Sequence, residues 1–295
     1  MASKGKVRFM ASHVSVLLKE SMAALKPRKG QTAVDCTVGL GGHAAELVRR
    51  GVKVIALDLD PANLERARER LGTSATLIHA NFAALPSILA GETVDMVLAD
   101  LGVSSPHLDD PARGFSYRKD GPLDMRLDPT RGEPAWVLLD RLSEEQLAEV
   151  LQDLGDEEEA EDVARAVVAA RPLRTTRALA EAVCDARGFS WERAVGAKLH
   201  PAARTFQALR MLVNREAGNL ERLLRVLPEV LKPGGRAAVI SFHSGEDRRV
   251  KVAFREGRRA GVYDRGSEDP ILPGPEEQEA NKRSRSAKLR WVRKA

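Results

Sequence analysis

The sequence predicts an α/β fold in which an all-helical subdomain interrupts a parallel sheet. Between residues 31 and 103, apolar segments alternate with amphipathic helical segments, a pattern typical of βαβ units. Between residues 104 and about 204 no strand pattern is found, and the alternation returns afterwards. We therefore expect the first part of the α/β domain at 1–105, the inserted helical subdomain at 106–205 and the second part at 206–295.

Four strands and two helices are predicted in the first part. The helices are expected at 43–50 and 61–71, and a glycine follows each of them. Asp60 is suited to cap the second helix, because Pro61 then occupies the first helical position. The last strand is apolar on both faces, as in a parallel sheet covered by helices. The strands are expected at 32–38, 52–60, 75–82 and 94–103.

The inserted segment begins with a long loop and continues with helices. Residues 104–134 contain prolines, glycines and charges but few apolar runs. Loops of this length in compact proteins are usually functional or disordered. The first helix after it opens with a capping box formed by Ser143 and Gln146. Helices are expected at 143–154, 156–170, 175–186 and 200–216.

The second part is predicted to contain a helix, a strand and a basic tail. The helix covers 219–231, a KPGG turn follows, and the strand covers 236–244. Residues from about 255 to 275 resemble a loop. The tail at 281–295 contains seven Lys or Arg residues and no Asp or Glu. It is either an RNA-binding arm or a disordered end, and its one-signed charge favours the arm.

Composition narrows the possible functions without selecting one. The 295 residues carry 47 Lys and Arg against 42 Asp and Glu, a net charge of +5 that permits a nucleic-acid partner. Cys36 and Cys184 are expected to be reduced and buried. Residues 1–10 lack the apolar core of a signal peptide, and no apolar run spans a bilayer. We therefore expect a cytoplasmic protein with no membrane partner. The six histidines form no ligand-spaced cluster, so no metal site is expected.

A glycine-rich turn at 33–47, AVDCTVGLGGHAAEL, predicts a ligand-binding loop. Small residues after a strand let a ligand approach the backbone, and the next helix offers unpaired N–H groups. No lysine follows Gly39, Gly41 and Gly42, which argues against a triphosphate loop. Ala44 stands where the dinucleotide pattern accepts glycine or alanine. A dinucleotide and an adenosine-bearing cofactor such as S-adenosylmethionine both remain possible.

Acidic residues follow several of the predicted strands. Asp35 either binds a cationic group or caps the glycine turn. Asp58 is the expected ribose ligand, whereas Asp60 is better explained as a helix cap. Phe82 is expected either against an adenine ring or in the core. Ligands of parallel sheets bind beyond the carboxyl ends of the strands, so Asp100 is expected where cofactor and substrate meet.

Four longer segments resemble motifs of the bacterial 16S ribosomal RNA cytosine-N4 methyltransferase family. The resemblance runs from His13 to the basic tail. The segment from Asp100 to Asp128 is the most specific for this family. The glycine turn alone would not distinguish the family from others. The four segments are DCTVGLGGH, DLGVSSPHLDDPARGFSYRKDGPLDMRLDPT, HPAARTFQALRMLVN and LKPGGRAAVISFHSGEDRRVK.

The resemblance implies a Rossmann-like class I methyltransferase sheet and S-adenosylmethionine as cofactor. It implies methylation of the exocyclic amine of one cytidine in the decoding region of 16S ribosomal RNA, within the small ribosomal subunit, and it leaves the oligomeric state open. The helical subdomain would help to grip the RNA. His107 stands where the family often has glutamine, and Gly245 where it usually has leucine. The implied cofactor-binding residues are Gly41, Gly42, His43, Asp58, Phe82, Asp100 and His107.

The chemistry gives Asp100 its expected catalytic role. The N4 lone pair of cytosine is delocalised into the ring, so the amine is a weak nucleophile. A carboxylate that accepts a hydrogen bond from this amine aligns it with the methyl group and can take up the proton. Phe115 or Tyr117 is the expected stacking aromatic, unless both only fix the loop. Phosphate contacts are expected from the loop residues Arg113, Arg118, Lys119 and Arg126.

Four other functions compete with this interpretation. A dehydrogenase would share the glycine turn and the ribose acid but would not explain the Asp100 loop. A non-catalytic RNA-binding assembly factor would share the basic segments but would not need Asp58 and Asp100. A methyltransferase for another RNA base would share the whole pattern. Carbon-5 methylation needs a cysteine nucleophile, and neither Cys36 nor Cys184 follows the fourth strand.

Overall fold

A seven-stranded sheet forms the centre of the structure, a computed structural model that describes residues 15–197 and 199–295. His13 and residues 1–10, used in the sequence analysis, lie outside these described residues. The strand order is β3-β2-β1-β4-β5-β7-β6, and β7 runs antiparallel to both of its neighbours. The strands are β1 (Thr32–Asp35), β2 (Lys53–Asp58), β3 (Ala75–His79), β4 (Val94–Asp100), β5 (Leu231–Ser241), β6 (Tyr263–Gly266) and β7 (Lys288–Lys294).

Helices account for most of the remaining described residues. Short 3₁₀ helices lie at Phe82–Ala84, Pro111–Arg113 and Lys282–Ser286. The α-helices are α1 (Leu18–Leu25), α2 (Gly42–Arg49), α3 (Pro61–Leu71), α4 (Leu85–Leu89), α5 (Ser105–Asp109), α6 (Ala135–Arg141), α7 (Glu144–Gly155), α8 (Ala160–Ala169), α9 (Thr176–Ala186), α10 (Trp191–Val195), α11 (Ala203–Val213), α12 (Glu216–Val230), α13 (Ser244–Arg259) and α14 (Pro275–Ala280).

Helices cover both faces of the sheet, which confirms the predicted α/β architecture. Side chains alternate along each strand, so Ala33 of β1 faces one layer and the adjacent Val34 faces the other. The first layer contains α1, α2 and α3, and the second contains α4, α12 and α13. Strands β1 to β5 are parallel, so their carboxyl ends meet at one edge of the sheet.

A separate apolar core lies in the helical segment between β4 and α12. It extends from Phe115 to Leu209 and includes buried side chains of α6 to α9 and α11. The predicted boundary between 205 and 206 falls inside α11, whose Phe206 and Leu209 belong to this core. The helical packing therefore continues past that boundary, and the division of the chain into three parts stays a prediction.

The sequence prediction is wrong in three segments before the basic tail. The helix expected at 200–216 is split, because α11 ends at Val213 and Arg215 adopts a left-handed backbone with φ 50° before α12 begins. The loop expected at 104–134 contains α5. The loop expected at 255–275 contains the end of α13 and all of β6. Helix α13 has only Val250 and Phe254 as buried apolar side chains and is otherwise rich in charged residues, so its apolar content gives little sign of a helix.

The basic tail is neither a disordered end nor a free arm, because its last residues form β7 inside the sheet. Arg290 is 4% exposed and makes a two-pronged ion pair with Asp247 of α13. The ammonium of Lys294 donates to the carbonyls of Pro228 and Leu231 at 2.6 and 2.7 Å. Arg290 and Lys294 of the tail therefore bind acidic and carbonyl groups of this chain.

The predicted capping box of α7 is present and gives a test of local stability. The hydroxyl of Ser143 accepts a hydrogen bond from the Gln146 amide at 3.2 Å, and the Gln146 side chain accepts from the Ser143 amide at 3.0 Å. We expect Ser143→Ala to lower the free energy of unfolding by about 1 kcal/mol. Gln152→Ala, in the exposed face of the same helix, should change it by less than about 0.5 kcal/mol. Urea denaturation of both variants checks this, and equal losses would contradict it.

Candidate active site

The carboxyl ends of β1 to β5 border an open cleft. The cleft lies where the strand order reverses between β1 and β4, the position at which parallel sheets bind ligands. Of the residues predicted for the site, Gly42, His43, Asp58, Phe82, Asp100 and His107 line it.

The glycine turn shapes one wall of the cleft. Gly41 has φ 77° and precedes the first residue of α2, so it supplies a left-handed backbone but does not itself line the cleft. A Cβ on Gly42 would lie 1.8 Å from the Ser15 hydroxyl oxygen. The bare backbone at Gly42 therefore lets the segment around Ser15 close over the turn. Ser15 and Gly42 both line the cleft, and we call their contact the cofactor cradle because the cofactor is expected beside it.

His43 connects that segment to the catalytic candidate. Its side chain is almost fully buried, and its Nε2 lies 3.1 Å from the Val16 carbonyl oxygen. Its Nδ1 lies 3.8 Å from Oδ2 of Asp100. The predicted site residues His43 and Asp100, far apart in sequence, therefore meet in the cleft.

Asp58 and Phe82 lie where a nucleoside would be expected. The Asp58 carboxylate accepts hydrogen bonds from the amides of Gly39 and Asp60, both at 2.8 Å. Burial raises the pKa of Asp58, and these two amide bonds oppose the rise. Phe82 lines the cleft and also packs against the core between the sheet and the second helix layer. A contact with an adenine ring and a place in the core are therefore compatible.

Asp60 caps α3, as predicted, and also joins two distant loop residues. Its carboxylate accepts from the Ala62 amide at 2.8 Å and from the Arg113 guanidinium at 2.8 Å, and it lies 2.6 Å from Nε2 of His107. The Ser104 amide donates to Nδ1 of His107, which assigns the ring proton to Nε2, facing Asp60. Hydrogen bonds from His107 and Arg113 hold the pKa of Asp60 well below its usual range despite burial.

This arrangement changes the expected roles of His107 and Arg113. Both ring nitrogens of His107 are bonded within the protein, so its ring can meet a cofactor only through its carbon atoms. Arg113 also donates to the carbonyls of Arg126 and Leu127, both at 2.9 Å, and so fixes the loop. The sequence analysis identified the cap at Asp60 but missed this connection, because the partners are about 50 residues away.

Asp100 ends β4 and has an unusual environment. Its amide donates to the Thr37 hydroxyl at 2.7 Å, while its Oδ1 is buried with no hydrogen-bond partner among the described residues. Burial and the negative charges of Asp35, Glu246 and Glu277 raise the pKa of the Asp100 carboxyl well above its usual value. A positively charged group bound beside Asp100 would oppose these effects, so the site fits a cationic ligand.

Asp35 adds to this accumulation of acids. One of its oxygens accepts from the Thr37 amide at 3.2 Å, which agrees with the predicted turn cap. The other oxygen is buried and lacks a partner in the described chain. Burial, together with the charge of Asp58, raises the pKa of Asp35 to about 7. The cap compensates only part of the cost of burying this carboxylate.

Neither aromatic residue proposed to stack on the base lines the cleft. Phe115 is buried in the helical core, and Tyr117 stacks on His200 with ring centroids 4.3 Å apart. Both fix the loop, which is the alternative that the sequence left open. Phe242, directly after β5, lines the cleft instead. The sequence analysis missed it because it lies outside the loop that follows Asp100.

The basic loop is partly used for internal contacts. Arg126 makes a two-pronged ion pair with Asp124, and the Lys119 ammonium donates to the Asp109 carbonyl at 3.2 Å. Arg118 is exposed and stays a candidate for phosphate contact. No group of three or more metal-ligating side chains occurs among residues 15–197 and 199–295. No helix in those ranges has the length and apolar composition needed to cross a membrane.

The strand order, the glycine turn and the acids at the strand ends together define a class I methyltransferase. Comparison with known sequences assigns it further: the chain belongs to the MraW methylase family, whose sequence model matches residues 10–295. The predicted fold class and the predicted cofactor, S-adenosylmethionine, are therefore confirmed. A dehydrogenase is excluded.

Individual relatives are similar along almost their whole length. The ribosomal RNA small subunit methyltransferase H of Koribacter versatilis is 44% identical, over 95% of this chain and 93% of that protein. The protein of the same name from Acidobacterium capsulatum is 42% identical, over 96% and 98%. Among solved structures, a precorrin-6y C5,15-methyltransferase of Geobacter metallireducens aligns with a TM-score of 0.45 and 9% identity, over 99% of this chain and 94% of that one.

The approach of Ser15 to Gly42 gives a test of the cofactor cradle. We expect Gly42→Ala to push this segment away, at a cost of about 1–3 kcal/mol in stability that is typical of overpacking, and thereby to weaken cofactor binding. Titration calorimetry with S-adenosylhomocysteine measures the loss. Ser15→Gly removes the colliding atoms and should restore most of the affinity in the double variant. A double variant as weak as Gly42→Ala would show that the collision is not the cause.

The three-way contact at Asp60 gives a second test. Asp60→Ala removes a helix cap and leaves His107 and Arg113 without their buried partner, so the free energy of unfolding should fall by about 3–5 kcal/mol. Asp110→Ala removes an exposed aspartate that caps only the 3₁₀ helix of the same loop. It should cost about 1 kcal/mol or less. Denaturation curves that coincide for the two variants would contradict this role of Asp60.

Proposed function

We propose that this protein methylates N4 of a cytidine in the decoding region of 16S ribosomal RNA, within the small ribosomal subunit. The observation that carries the proposal is the buried Oδ1 of Asp100 at the carboxyl end of β4, which has no hydrogen-bond partner among residues 15–197 and 199–295. An acceptor in this position suits an amine that must donate a hydrogen bond while its nitrogen attacks. The relatives named as small-subunit ribosomal RNA methyltransferases support the RNA substrate. Such a substrate implies a cytoplasmic location.

The residues around the glycine turn are proposed to hold the cofactor. Asp58 would bind ribose hydroxyls, and Phe82 would lie against the adenine ring. Gly42 allows close approach to the backbone, and His43 closes the cleft together with the segment at Val16. Bound S-adenosylmethionine supplies a methyl group on a positively charged sulfur. The acids around Asp100 favour that charge.

Asp100 is proposed to act on the acceptor amine. Its carboxylate would accept a hydrogen bond from N4–H, which localises the nitrogen lone pair and directs it at the methyl carbon. A nitrogen–carbon bond forms as the sulfur–carbon bond breaks, and the sulfur keeps the electron pair. The amine then loses one proton, which Asp100 can accept and pass to water. No metal or further reactant is needed for this balance.

The cysteine in the cleft does not favour methylation at carbon 5. Cys36 lines the cleft directly after β1, so a thiolate there would be near the reacting groups. Burial and the charge of Asp35 raise the pKa of its thiol well above the usual value. A thiol that stays protonated is a poor nucleophile. This environment supports direct transfer to an exocyclic amine.

The product of the reaction tests the proposal. Purified protein is incubated with labelled S-adenosylmethionine and either small subunits that lack the modification or free 16S RNA. Mass spectrometry of the digested nucleosides should identify N4-methylcytidine. Label on carbon 5 or on another base would keep the methyltransferase assignment and reject the proposed target. A reaction with subunits but not with free RNA would support the assembled subunit as substrate.

The role of Asp100 has its own test. Asp100→Asn should lower the single-turnover rate by about 10²–10⁴-fold, the usual contribution of a general base. Its affinity for S-adenosylhomocysteine should change little. Because the carboxylate must be ionised and its pKa is raised, the wild-type rate should increase with pH above the normal carboxyl range. That dependence should be lost in Asp100→Asn, whereas Asp153→Asn, on the exposed face of α7, should keep both rate and pH dependence.

A further inference from the structure

The cleft has two halves with different chemistry. The first half lies over β1, β2 and β3 and contains the glycine turn, Asp58 and Phe82. The second half lies over β4 and β5, and no residue proposed above to bind the cofactor points to it except Asp100. Its walls come from the loop after β5 and from the start of α12. Asp100 stands at the border of the two halves, since β4 lies between β1 and β5.

Phe242 forms an apolar wall of this second half. It lies two residues after Ile240, which pairs with Asp100 across the two strands, and both Phe242 and Asp100 line the cleft. Its amide donates to the Glu246 carboxylate at 2.9 Å, which fixes the backbone at this point. A Cβ on Gly102 would lie 3.5 Å from Cδ2 of Phe242. A longer side chain at Gly102 would therefore press on the ring or cover it.

The acids of the second half are already paired. Glu216 makes a two-pronged ion pair with Arg210 at 2.8 and 2.9 Å. Glu246 lies 3.3 Å from Nε2 of His243, and this histidine lowers the pKa of Glu246 despite burial. Leu220 of α12 supplies a second apolar group. The negative charges of this half are already neutralised by Arg210 and His243, and its apolar groups are Phe242 and Leu220. These surroundings suit a neutral, flat ring better than a cation.

We propose that Phe242 is the platform on which the acceptor base stacks, with the exocyclic amine of that base directed at Asp100. This inference rests on the function proposed above, because it assumes a nucleobase acceptor. A base can reach this position only when it is turned out of its stack, and enzymes commonly hold such a base against an aromatic or apolar side chain. The ring acts on the acceptor and not on the cofactor, because Phe82 lies at the opposite end of the cleft, beyond β1 and β2.

Substitution at Phe242 separates a stacking role from a structural one. Phe242→Leu should lower kcat/KM for the RNA by about 5- to 150-fold, the range measured for single base–aromatic contacts. Phe242→Tyr keeps a ring and should recover most of this loss. Titration calorimetry with S-adenosylhomocysteine should give the same affinity for all three proteins. Phe254→Leu makes the same chemical change in the core between the sheet and α13. It should lower stability and leave kcat/KM for the RNA unchanged.

A fluorescent base gives a readout independent of methyl transfer. An RNA fragment is prepared with pyrrolocytosine, a fluorescent cytosine analogue, at the target position. We expect its fluorescence to be quenched on binding to the wild type and to Phe242→Tyr, and to remain high with Phe242→Leu. Equal quenching in the wild type and Phe242→Leu would overturn the proposal, as would an unchanged kcat/KM or an equal loss of cofactor affinity in Phe242→Leu.

The outcomes also separate this inference from the proposed function. If the wild type methylates a different base, the target proposal fails. The effect of Phe242→Leu on that base, with the fragment redesigned around it, then decides the stacking role. If the wild type methylates N4 of cytidine and Phe242→Leu does so equally well, the function stands and the platform is rejected. If no RNA is methylated, quenching by the wild type that is lost in Phe242→Leu supports the platform, and absence of quenching rejects it.

Discussion

The cost of burying carboxylates at one edge of the sheet is the constraint on which the site depends. The carboxyl ends of β1, β2 and β4 bring Asp35, Asp58 and Asp100 together, where each loses hydration. Backbone amides compensate Asp58, and one amide compensates Asp35 in part. Asp100 keeps an unpartnered oxygen within the described chain. The energy not recovered inside the protein would favour a positively charged ligand bound beside these acids.

Another buried acid, Asp60, stabilises the fold and does not line the cleft. Asp60 lies only two residues after Asp58, yet its partners are a histidine and an arginine of the loop that leads into the helical subdomain. These contacts hold its pKa low, so it stays ionised and structural. Asp58 and Asp60 therefore differ in pKa. Asp58 faces the cleft, whereas Asp60 faces the guanidinium of Arg113. These contacts anchor the loop that leads into the helical segment to the sheet at the border of the cleft.

The carboxyl-terminal strand shows how charge in a sequence can serve the fold. A run of Lys and Arg without acids normally indicates an exposed segment that binds nucleic acid. Here Arg290 pairs with Asp247, and Lys294 binds carbonyl groups at the end of α12 and the start of β5. The apolar residues Leu289 and Val292 are fully buried on either side of the strand. The compensating acids and carbonyls lie far away in the sequence, so the local composition carries no sign of them.

The sequence by itself determined the alternation of strands and helices, the caps at Asp60 and Ser143, the glycine turn and the acids Asp58 and Asp100 at strand ends. These features depend on hydrophobic periodicity and on backbone hydrogen bonds within a few residues. Both can be recognised from short segments of the sequence. Only the tertiary structure decided that β7 enters the sheet, that His107 and Arg113 meet Asp60, and that Phe242 rather than Phe115 or Tyr117 lines the cleft. Each of these depends on contacts between residues distant in the chain, which form only when the strand order is fixed and the cores exclude water.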